Sequence, residues 1–440
     1  MTANGTNTPT AADTDSQPAR FYWLPPGLRP AAPMTRREER IFLLVGMAAL
    51  FAGFDQNVYG FALPQIQAAL HIPENQIGPT VTYFRLATFV AMLLALTADI
   101  VGRRRLLLFT VFGQAAFTLA TAFSQTYPQF VWFQVLTRIF GYAEEMLCIV
   151  VIVEEVAASL RGWSAGTLSA LTYTGAGLAS LCFGFVNVLP GHWRALYVIG
   201  GCSMFFVAFL RRRLPETKRF EVRHAEVERL HARIGGALDL FRRIMKEYPG
   251  RIALLLIIAG AWGFAIGPAT VLQNKYLQTS LHFLPWQTTL LSVPGGLLAL
   301  WLNILMGRAS DRIGRRLSLF IMMIVCGLGY TAFYSGLPGI YAAPLWILSF
   351  FAFFSADALL AALTIEIVPT AYRATVGGLR YMVEIFLGGV SLYLEGHWYD
   401  VFHDHGPAIS VSLAAIVVAL VAIFFVPEPA GKVLEDISHG

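Results

Sequence analysis

The 440-residue chain is 56% hydrophobic, and only 13% of its residues carry charged side chains. A soluble protein of this length would carry about 25% charged residues, so the composition excludes an ordinary soluble domain and predicts an integral membrane protein. The formal net charge of +5 does not point to nucleic acid, because the basic residues are concentrated in particular loops. The four cysteines fall in apolar runs without metal-ligand spacing, so neither a metal nor another cofactor is expected.

Apolar runs of about 20 residues divide the chain into segments that can each span a bilayer as a helix. In chain order the predicted spans are 41–63, 77–98, 106–123, 130–153, 163–189 and 193–210, then 251–275, 286–306, 317–334, 343–365, 375–394 and 408–426. The pattern is six helices, a charged linker and six helices. The sequence therefore predicts an all-α membrane protein with twelve transmembrane helices in two six-helix bundles.

The polar segments complete the predicted domain organisation. It comprises a disordered cytoplasmic tail at 1–39, an N-terminal bundle at 40–212, a partly helical cytoplasmic linker at 213–250, a C-terminal bundle at 251–428 and a cytoplasmic tail at 429–440. The first tail has no apolar core of the kind that a secretory signal needs. The apolar spacing in the linker indicates an amphipathic helix on the membrane surface, and a simple tether is the alternative.

Basic residues lie predominantly on one side of the predicted spans. This side carries Arg36, Arg37, Arg40, Arg103, Arg104, Arg105, Arg161, Arg211, Arg212, Arg213, Arg308, Arg315, Arg316 and Arg373. The opposite side has Arg194 as its clear exception. Because basic loops stay in the cytoplasm, the distribution predicts that both termini are cytoplasmic, and the even number of spans agrees.

A tight basic turn between two apolar runs occurs twice in the chain. It reads Ala-Asp-Ile-Val-Gly-Arg-Arg-Arg at 98–105 and Ser-Asp-Arg-Ile-Gly-Arg-Arg at 310–316. A second motif, a glutamate followed by an arginine, occurs at 155–161 and again at 366–373. The distance between its two copies is nearly the same as the distance between the two copies of the basic turn. Two unrelated motifs that repeat at one spacing indicate a duplicated half.

With these turns and paired halves, the chain resembles the major facilitator superfamily. Its finer features are similar to the sugar-porter and metabolite–proton symporter branch, including Gly-Phe-Asp at 53–55, Leu-Pro-Glu-Thr at 214–217 and Pro-Glu-Pro at 427–429. The resemblance implies a transporter rather than an enzyme. Ser169 stands where sugar porters carry a glutamine, and the seventh span is apolar at 261–268, so a sugar is not the expected substrate.

The resemblance also implies a gate on the basic side of the membrane. Asp99 would meet the inner half of the eleventh span, while Gly102 permits the sharp turn and Arg103 can turn back to pair with an acid. The other expected gating residues are Glu155, Arg161, Asp311, Gly314, Arg315, Glu366 and Arg373. Within this set, Glu155 is expected to act with Arg161, and Glu366 with Arg373.

Ionisable residues inside the predicted spans cost about 2.5–3.5 kcal/mol each, so each is expected to have a partner or a function. Helix arithmetic puts Asp55, Arg85 and Arg138 in one layer, with Asp55 in the outer third of the membrane. The resemblance implies that Asp55 and Arg138 are the proton-coupling pair. Arg85 is the rival partner, a static salt bridge is the alternative for the pair, and Glu145 is the next candidate acid.

The remaining charges within the spans leave several interpretations open. Glu144 and Glu145 are adjacent and cannot point the same way, so one of them is expected to pair with Arg138 or to be protonated by desolvation. Asp357 and Arg380 form either a structural gate pair or a site at which Arg380 binds a substrate anion.

Two further charged residues, Glu384 and Lys275, also lie in predicted spans. Glu384 follows Arg380 by one turn on the same helix face. Lys275 falls at an outer helix end, where its side chain is expected to snorkel toward water.

A central cavity is expected between the first, fourth, seventh and tenth spans. Its candidate lining residues are Asn57, Tyr59, Gln65, Tyr83, Trp262, Gln273, Asn274 and Asp357, with Arg380 and Glu384 beside them. A lining of Trp and Tyr with few amides favours an aromatic or amphipathic metabolite over a polyol. Packing against lipid or neighbouring helices is the alternative for each aromatic residue.

The leading functional hypothesis is a proton-coupled secondary transporter that imports a small organic acid or similar metabolite by alternating access. Proton antiport that exports a drug-like or cationic compound is the alternative, and a non-transporting sensor is a third possibility. The expected partners are a small-molecule substrate, protons and membrane lipid, and no nucleic acid is expected. The protein is expected to be a monomer and to lie in a bacterial inner membrane. No Gly-x-x-x-x-Gly-Lys-Ser/Thr loop occurs, so ATP drive is not supported.

Overall fold

The computed structural model describes residues 29–30, 33–156, 160–212, 246, 248–368 and 372–428, without side chains at 99–100, 153–154, 161–162, 165 and 374. Within these ranges every regular element is a helix, as the sequence predicts. Most of the first tail, nearly all of the linker and the tail at 429–440 lie outside the described residues. The predictions for those three segments therefore stay predictions.

The N-terminal half contains six long helices. They are α1 (Arg36–Leu70), α2 (Ile77–Leu96), α3 (Arg103–Ala122), α4 (Tyr127–Glu155), α5 (Arg161–Gly184) and α6 (Trp193–Arg211). A helical turn, Ala98–Val101, separates α2 from α3, and a 3-10 turn, Glu74–Gln76, separates α1 from α2. The first helix begins inside the predicted tail, because the Thr35 side chain and Glu38 form a capping box there.

The C-terminal half repeats this arrangement. Its helices are α7 (Pro249–Thr279), α8 (Pro285–Ile313), α9 (Arg315–Phe333), α10 (Ala342–Glu366), α11 (Arg373–Phe402), α12 (His405–Leu413) and α13 (Ile416–Ile423). The two short helices α12 and α13 follow one another at the position of the last predicted span.

Nine segments in the described part of the chain are long and apolar enough to cross a membrane. They comprise α1, α3, α6, α7, α8 and α9, α2 and α10 each with its preceding 3-10 turn, and α12 together with α13. The other long helices, α4, α5 and α11, occupy the positions of the fourth, fifth and eleventh predicted spans. The count of twelve spans stays a prediction.

The first helix is longer than the sequence analysis predicts. It continues through Pro64 to Leu70, because the polar residues after the proline find partners in the other half instead of ending the helix. Asp55 is therefore 15 residues, or about 22 Å, from the end of the helix. Asp55 is thus farther from the outer helix end than the sequence analysis predicts and lies near the middle of α1, while its depth in the membrane stays a prediction.

Equivalent helix pairs in the two halves are packed so closely that their backbones nearly touch. A Cβ atom at Gly53 of α1 would lie 2.0 Å from the Thr172 carbonyl oxygen of α5. A Cβ atom at Gly263 of α7 would lie 2.2 Å from the Glu384 carbonyl oxygen of α11. Glycines at these positions let helices approach without side chains between them, which is how membrane helices gain packing energy. The halves contact each other mainly through α2 with α11, α5 with α8, and α1 with α7.

Candidate functional site

The two halves are joined by polar contacts at the end of the helices opposite the basic turns, called here the outer end. The Gln65 side-chain amide donates a hydrogen bond to the Gln278 side-chain oxygen at 2.8 Å. The Thr82 hydroxyl donates to the Gly389 carbonyl at 2.8 Å. The Thr289 hydroxyl donates to the Ser180 carbonyl at 2.6 Å. Gln65, an expected cavity residue, thus belongs to the contact that closes the outer end.

Lys275 also belongs to this contact. Its ammonium group forms an ion pair with Glu74 and donates a hydrogen bond to the Gln67 side chain at 2.9 Å. The Lys275 side chain is only 3% exposed. The expectation of a snorkelling lysine is therefore wrong, because the opposite half supplies a carboxylate and an amide within reach.

On the basic side, the described ion pairs join residues of the same half. Arg315 contacts Asp311 at 2.6 Å and Glu366 at 3.1 Å, all within the C-terminal half. In the N-terminal half, Arg37 lies 3.6 Å from Glu155. These ion pairs therefore brace each half on this side, whereas the cross-half contacts described above lie at the outer end.

The expected gating residues have these surroundings. Gly102 and Gly314 begin α3 and α9 with φ of 101° and 105°, a backbone conformation that favours glycine. Arg103 is buried. Arg373 donates a hydrogen bond to the Val368 carbonyl at 3.2 Å, so the expected Glu366–Arg373 pair is replaced by Glu366–Arg315. The side chains of Asp99 and Arg161 lie outside the described part, so their roles stay predictions.

The coupling residue expected from the sequence, Asp55, is buried within the N-terminal half. It is 1% exposed, and one carboxylate oxygen accepts a hydrogen bond from the Thr118 hydroxyl at 3.1 Å. The other oxygen has no hydrogen-bond partner among the described atoms. Arg138 lies close enough to act on Asp55 electrostatically, but its guanidinium donates instead to the Gln56 carbonyl at 3.0 Å. The two groups are neighbours without a direct salt bridge.

The adjacent acids Glu144 and Glu145 point in different directions, as expected, but neither has Arg138 as a described partner. Glu144 forms a buried ion pair with Arg211 at the end of α6. The Glu145 carboxylate accepts a hydrogen bond from the Gln56 side chain at 3.3 Å. The described hydrogen bond of the Arg138 guanidinium goes to the Gln56 carbonyl and not to either acid.

Three charged side chains of the C-terminal half form a cluster between α10 and α11. Arg380 donates to Glu384 at 2.6 Å, one turn along α11, and lies 3.8 Å from Asp357 of α10. Asp357 is 41% exposed, whereas Arg380 is 8% exposed, so the acid faces open space and the base lies behind it. The cationic charge of Arg380 is thus already shared between two carboxylates.

Arg85 approaches this cluster from the N-terminal half. Its guanidinium occupies the space that a Cβ atom at Gly388 of α11 would need. Within the described residues, no carboxylate lies within ion-pair distance of Arg85, although Glu384 is near enough to act on it electrostatically. Tyr142 and Tyr381 lie in the same neighbourhood. The arginine therefore brings an unneutralised positive charge to the junction of the two halves.

Tyrosines surround the space between these charges. Tyr381 is half-exposed and lies within electrostatic range of Glu145 in one half and of Asp357 in the other. Tyr173 of α5 is half-exposed and meets the Phe354 ring of α10 edge-on, with 5.5 Å between ring centroids. An aromatic, charged space thus lies between the halves.

The other expected cavity residues are placed differently. Asn57 is exposed, and its side chain bonds the Gly53 carbonyl. Tyr59 and Trp262 are packed within their own halves, against Phe84 and Phe353 respectively.

Three further candidates lie away from the charge cluster. Tyr83 lines a groove with the exposed Trp132 on α4. Gln273 and Asn274 are buried near the outer end of α7. Gln273 accepts a hydrogen bond from the Tyr330 hydroxyl.

A small cavity of about 120 Å³ lies against α1, α4 and α5 and is lined by Glu145, Ser169 and Thr172 among others.

Sequence reasoning missed several residues that carry contacts in this site. Gln56 and Thr118 are uncharged, so the survey of membrane charges passed over them. Arg211 is charged, but its place in a basic loop indicates only topology. His405 contacts Glu395 at 2.6 Å and Glu74 at 3.2 Å, but Glu74 is 331 residues away in sequence, so nothing in the spacing of these residues indicates that they meet.

A sequence model described as Major Facilitator Superfamily matches residues 45–392. A Haemophilus influenzae protein described as a metabolite transport protein is 24% identical over 430 residues, covering 89% of this chain and 97% of that protein. The gallate transporter of Pseudomonas putida is 25% identical over 226 residues, covering 49% of each chain. The 4-hydroxybenzoate transporter PcaK of Acinetobacter baylyi is 26% identical over 197 residues, covering 43% of this chain and 42% of its own.

Solved structures share the same architecture. A D-xylose-proton symporter superposes with a TM-score of 0.70 at 18% identity, covering 90% of this chain and 99% of that chain. A bacterial homolog of the human lysosomal transporter Spinster, in an inward-facing and unoccupied conformation, superposes with a TM-score of 0.69 at 15% identity, covering 89% and 95%. At these identities the likeness concerns the fold alone.

Proposed function

Because the chain belongs to the Major Facilitator Superfamily, we propose that it imports a small aromatic carboxylate together with a proton, by alternating access. It is a multi-pass membrane transporter and not an enzyme. The proposal includes twelve spans with both termini in the cytoplasm, a monomer, and a bacterial inner membrane. The observation that carries it is the unneutralised Arg85, which lies at the junction of the halves beside tyrosines.

The proposal assigns the substrate carboxylate to Arg85 rather than to Arg380. An arginine is the natural bidentate partner of a carboxylate, and a buried cation without such a partner is costly in a membrane. Arg380 already bonds Glu384 at 2.6 Å and has Asp357 at 3.8 Å, so a third carboxylate there would be repelled. Arg85 has no such competitor within ion-pair distance among the described residues.

The aromatic part of the substrate follows from the side chains near Arg85. Tyr142 and Tyr381 lie in its surroundings, and Tyr173 and Phe354 meet across the two halves. Aromatic rings offer flat apolar contact and, in tyrosine, a hydroxyl that can bond a substrate hydroxyl. Gallate and 4-hydroxybenzoate, which the names of two relatives mention, have this chemistry. The export alternative lacks a comparable observation.

Proton coupling is assigned to Asp55 with Arg138. Asp55 is buried with one oxygen unpartnered, which is a place where a proton can bind. Arg138 is bonded to a neighbouring carbonyl and not to Asp55, so it is free to approach the carboxylate in another conformation. A carboxylate that was permanently paired could not accept a proton, and one that was permanently alone could not release it.

The test is uptake of radiolabelled 4-hydroxybenzoate into proteoliposomes with an alkaline interior. One proton per anion gives an accumulation of about tenfold for each unit of pH difference. Asp55→Asn is expected to exchange substrate across the membrane but to accumulate none. Asp400→Asn is the matched control, because Asp400 is exposed and an asparagine can also bond Asn75.

Two arginine variants separate binding from folding in the same assay. Arg85→Gln is expected to leave folded protein without measurable substrate binding. Arg380→Gln is expected to reduce the yield of folded protein, because it leaves two carboxylates without their cation. Proton-driven accumulation in Asp55→Asn, or unchanged binding in Arg85→Gln, would contradict the respective assignment.

A further inference from the structure

Four ionisable side chains meet at the outer end, and we call them the outer ionic cluster. Glu74 lies in the 3-10 turn after α1, Lys275 near the end of α7, Glu395 near the end of α11, and His405 at the start of α12. His405 Nδ1 lies 2.6 Å from Glu395 Oε1, and His405 Nε2 lies 3.2 Å from Glu74 Oε2. Lys275 pairs with the same Glu74 oxygen. The imidazole thus bridges two carboxylates.

Only one protonation state of the histidine satisfies both contacts. An ionised carboxylate only accepts hydrogen bonds, and a neutral imidazole has a single N–H to donate. With a neutral ring, one of the two nitrogen–oxygen contacts would set a lone pair against a carboxylate oxygen. With a proton on each nitrogen, His405 donates to Glu395 and to Glu74 together, and the cluster of two acids and two cations is neutral.

The contacts in the cluster differ in what happens when the halves separate. Glu395, His405 and Lys275 all belong to the C-terminal half, so the His405–Glu395 contact can persist during a movement of the two halves. Glu74 belongs to the N-terminal half, and its contacts with Lys275 and His405 cross the junction. Opening of the outer end must break these two contacts. The proton on His405 therefore stabilises the closed outer end specifically through Glu74.

The cluster is within reach of the outer solvent. Glu74 is 37% exposed and His405 is 15% exposed, whereas Glu395 is fully buried behind them. One Glu395 oxygen has no hydrogen-bond partner among the described atoms, and the other contacts the His405 imidazole. A proton that arrives from outside can reach the imidazole without entering the central cavity.

Other titratable groups around His405 do not provide a competing bridge. The Tyr399 ring of α11 lies 4.5 Å from the imidazole, centroid to centroid. Asp404, the residue before His405, accepts a hydrogen bond from the Gly406 backbone amide. Lys275 of α7 repels the imidazolium but is itself paired with Glu74. Tyr334, beyond α9, donates its hydroxyl to the Ala269 carbonyl.

We propose that His405 is an outer proton-binding site whose protonation closes the outer end of the transporter through Glu74. Acidification outside would then favour the closed outer end, which is the direction needed after an importer has taken up its proton and substrate. The inference rests on the proposed function in assuming that the two halves rock and that the outer end faces the cell exterior. It is independent of Asp55 and of the identity of the substrate.

The experiment measures the outer opening directly by double electron–electron resonance in lipid nanodiscs. Spin labels are attached at Thr126→Cys and Leu337→Cys, two exposed positions at outer loops of different halves, after the native cysteines have been replaced by alanine. The ratio of the population at the closed distance to the population at the open distance is expected to rise about two- to fivefold as pH falls from about 8 to about 5.5. A partly exposed histidine–carboxylate ion pair would give a change of this size.

His405→Gln is expected to abolish this rise. Glu74→Gln is expected to abolish it as well, although His405 is still present in this variant. His397→Gln is the matched control, because His397 is an exposed histidine on α11 two residues beyond Glu395, and it is expected to keep the rise. The measurement reports the opening of the outer end without requiring uptake or accumulation of substrate, so a failure of proton coupling at Asp55 would be distinguishable. A profile in His405→Gln that superimposes on that of the unmodified protein would overturn the proposal, as would a pH-independent ratio in the unmodified protein.

Discussion

The buried ion pair between Glu144 and Arg211 allows a quantitative test of how the N-terminal half is held together. Both side chains are only 1% exposed. The Thr110 hydroxyl of α3 donates to the second Glu144 oxygen at 2.7 Å, and Arg211 Nε donates to the Leu44 carbonyl of α1 at 3.0 Å. The pair therefore connects α1, α3, α4 and α6 through charge-assisted hydrogen bonds.

Glu144→Gln is expected to lower the free energy of unfolding by about 3–5 kcal/mol, because it leaves the Arg211 charge buried without a counter-charge. Replacement of both groups by apolar residues of similar volume, Glu144→Leu with Arg211→Met, removes the uncompensated charge. This double variant is expected to be about as stable as the unmodified protein or up to about 4 kcal/mol more stable.

The measurement is unfolding in mixed micelles of increasing dodecyl sulfate content, followed by tryptophan fluorescence. Glu145→Gln is the matched control, since Glu145 is the next residue along the chain and its carboxylate has a single described hydrogen bond, from Gln56 at 3.3 Å. Its expected cost is about 1 kcal/mol. Equal costs for Glu144→Gln and Glu145→Gln would refute the argument, as would a double variant less stable than Glu144→Gln alone.

Two glycines give further predictions, and each is compared with a second glycine as control. Gly388→Ala is expected to abolish substrate uptake, because its Cβ atom would occupy the space of the Arg85 guanidinium, whereas Gly389→Ala meets only ordinary contacts of 3.6 Å or more and should retain uptake. Gly314→Ala is expected to cost about 1–3 kcal/mol of stability at φ of 105°, whereas Gly307→Ala, which meets open space, should be neutral or stabilising in the same unfolding assay. Wild-type uptake in Gly388→Ala, or equal stability of the Gly314 and Gly307 variants, would contradict these expectations.

The sequence predicted the helices well, because hydrophobic length is a local property. The family was recognised from local motifs as well, since the turns at 98–105 and 310–316 are read directly from adjacent residues. Helix ends were less predictable. The continuation of α1 to Leu70 depends on partners such as Gln278, which lies far away in the sequence.

Only some of the charge pairs could be predicted, since pairing depends on the rotation of each helix about its axis. The expected neighbours Asp357 and Arg380 do lie 3.8 Å apart. The expected Glu366–Arg373 pair joins residues that are close in sequence, yet Glu366 instead meets Arg315 from the basic turn. Of the two alternatives for one acid at 144–145, pairing with Arg138 is not found for the same reason, as Arg211 reaches Glu144 from another helix. The other alternative, protonation of one acid by desolvation, stays a prediction. A survey of charges identifies which residues need partners, and the fold decides which partners they receive.

Gln56 connects the proposed proton site to the proposed cavity. Its carbonyl accepts the hydrogen bond from Arg138 at 3.0 Å, and its side chain donates to Glu145 at 3.3 Å. Asp55 is the preceding residue on the same helix, so the two acids are connected through one residue of α1 and a single arginine. If Arg138 leaves the Gln56 carbonyl to meet an ionised Asp55, Gln56 loses one of its two tertiary bonds, and its hold on Glu145 at the cavity is weakened. In the proposed mechanism, deprotonation of Asp55 would thereby affect the side of the cavity that faces Asp357 and Tyr381, without any charge having to cross the space between the halves.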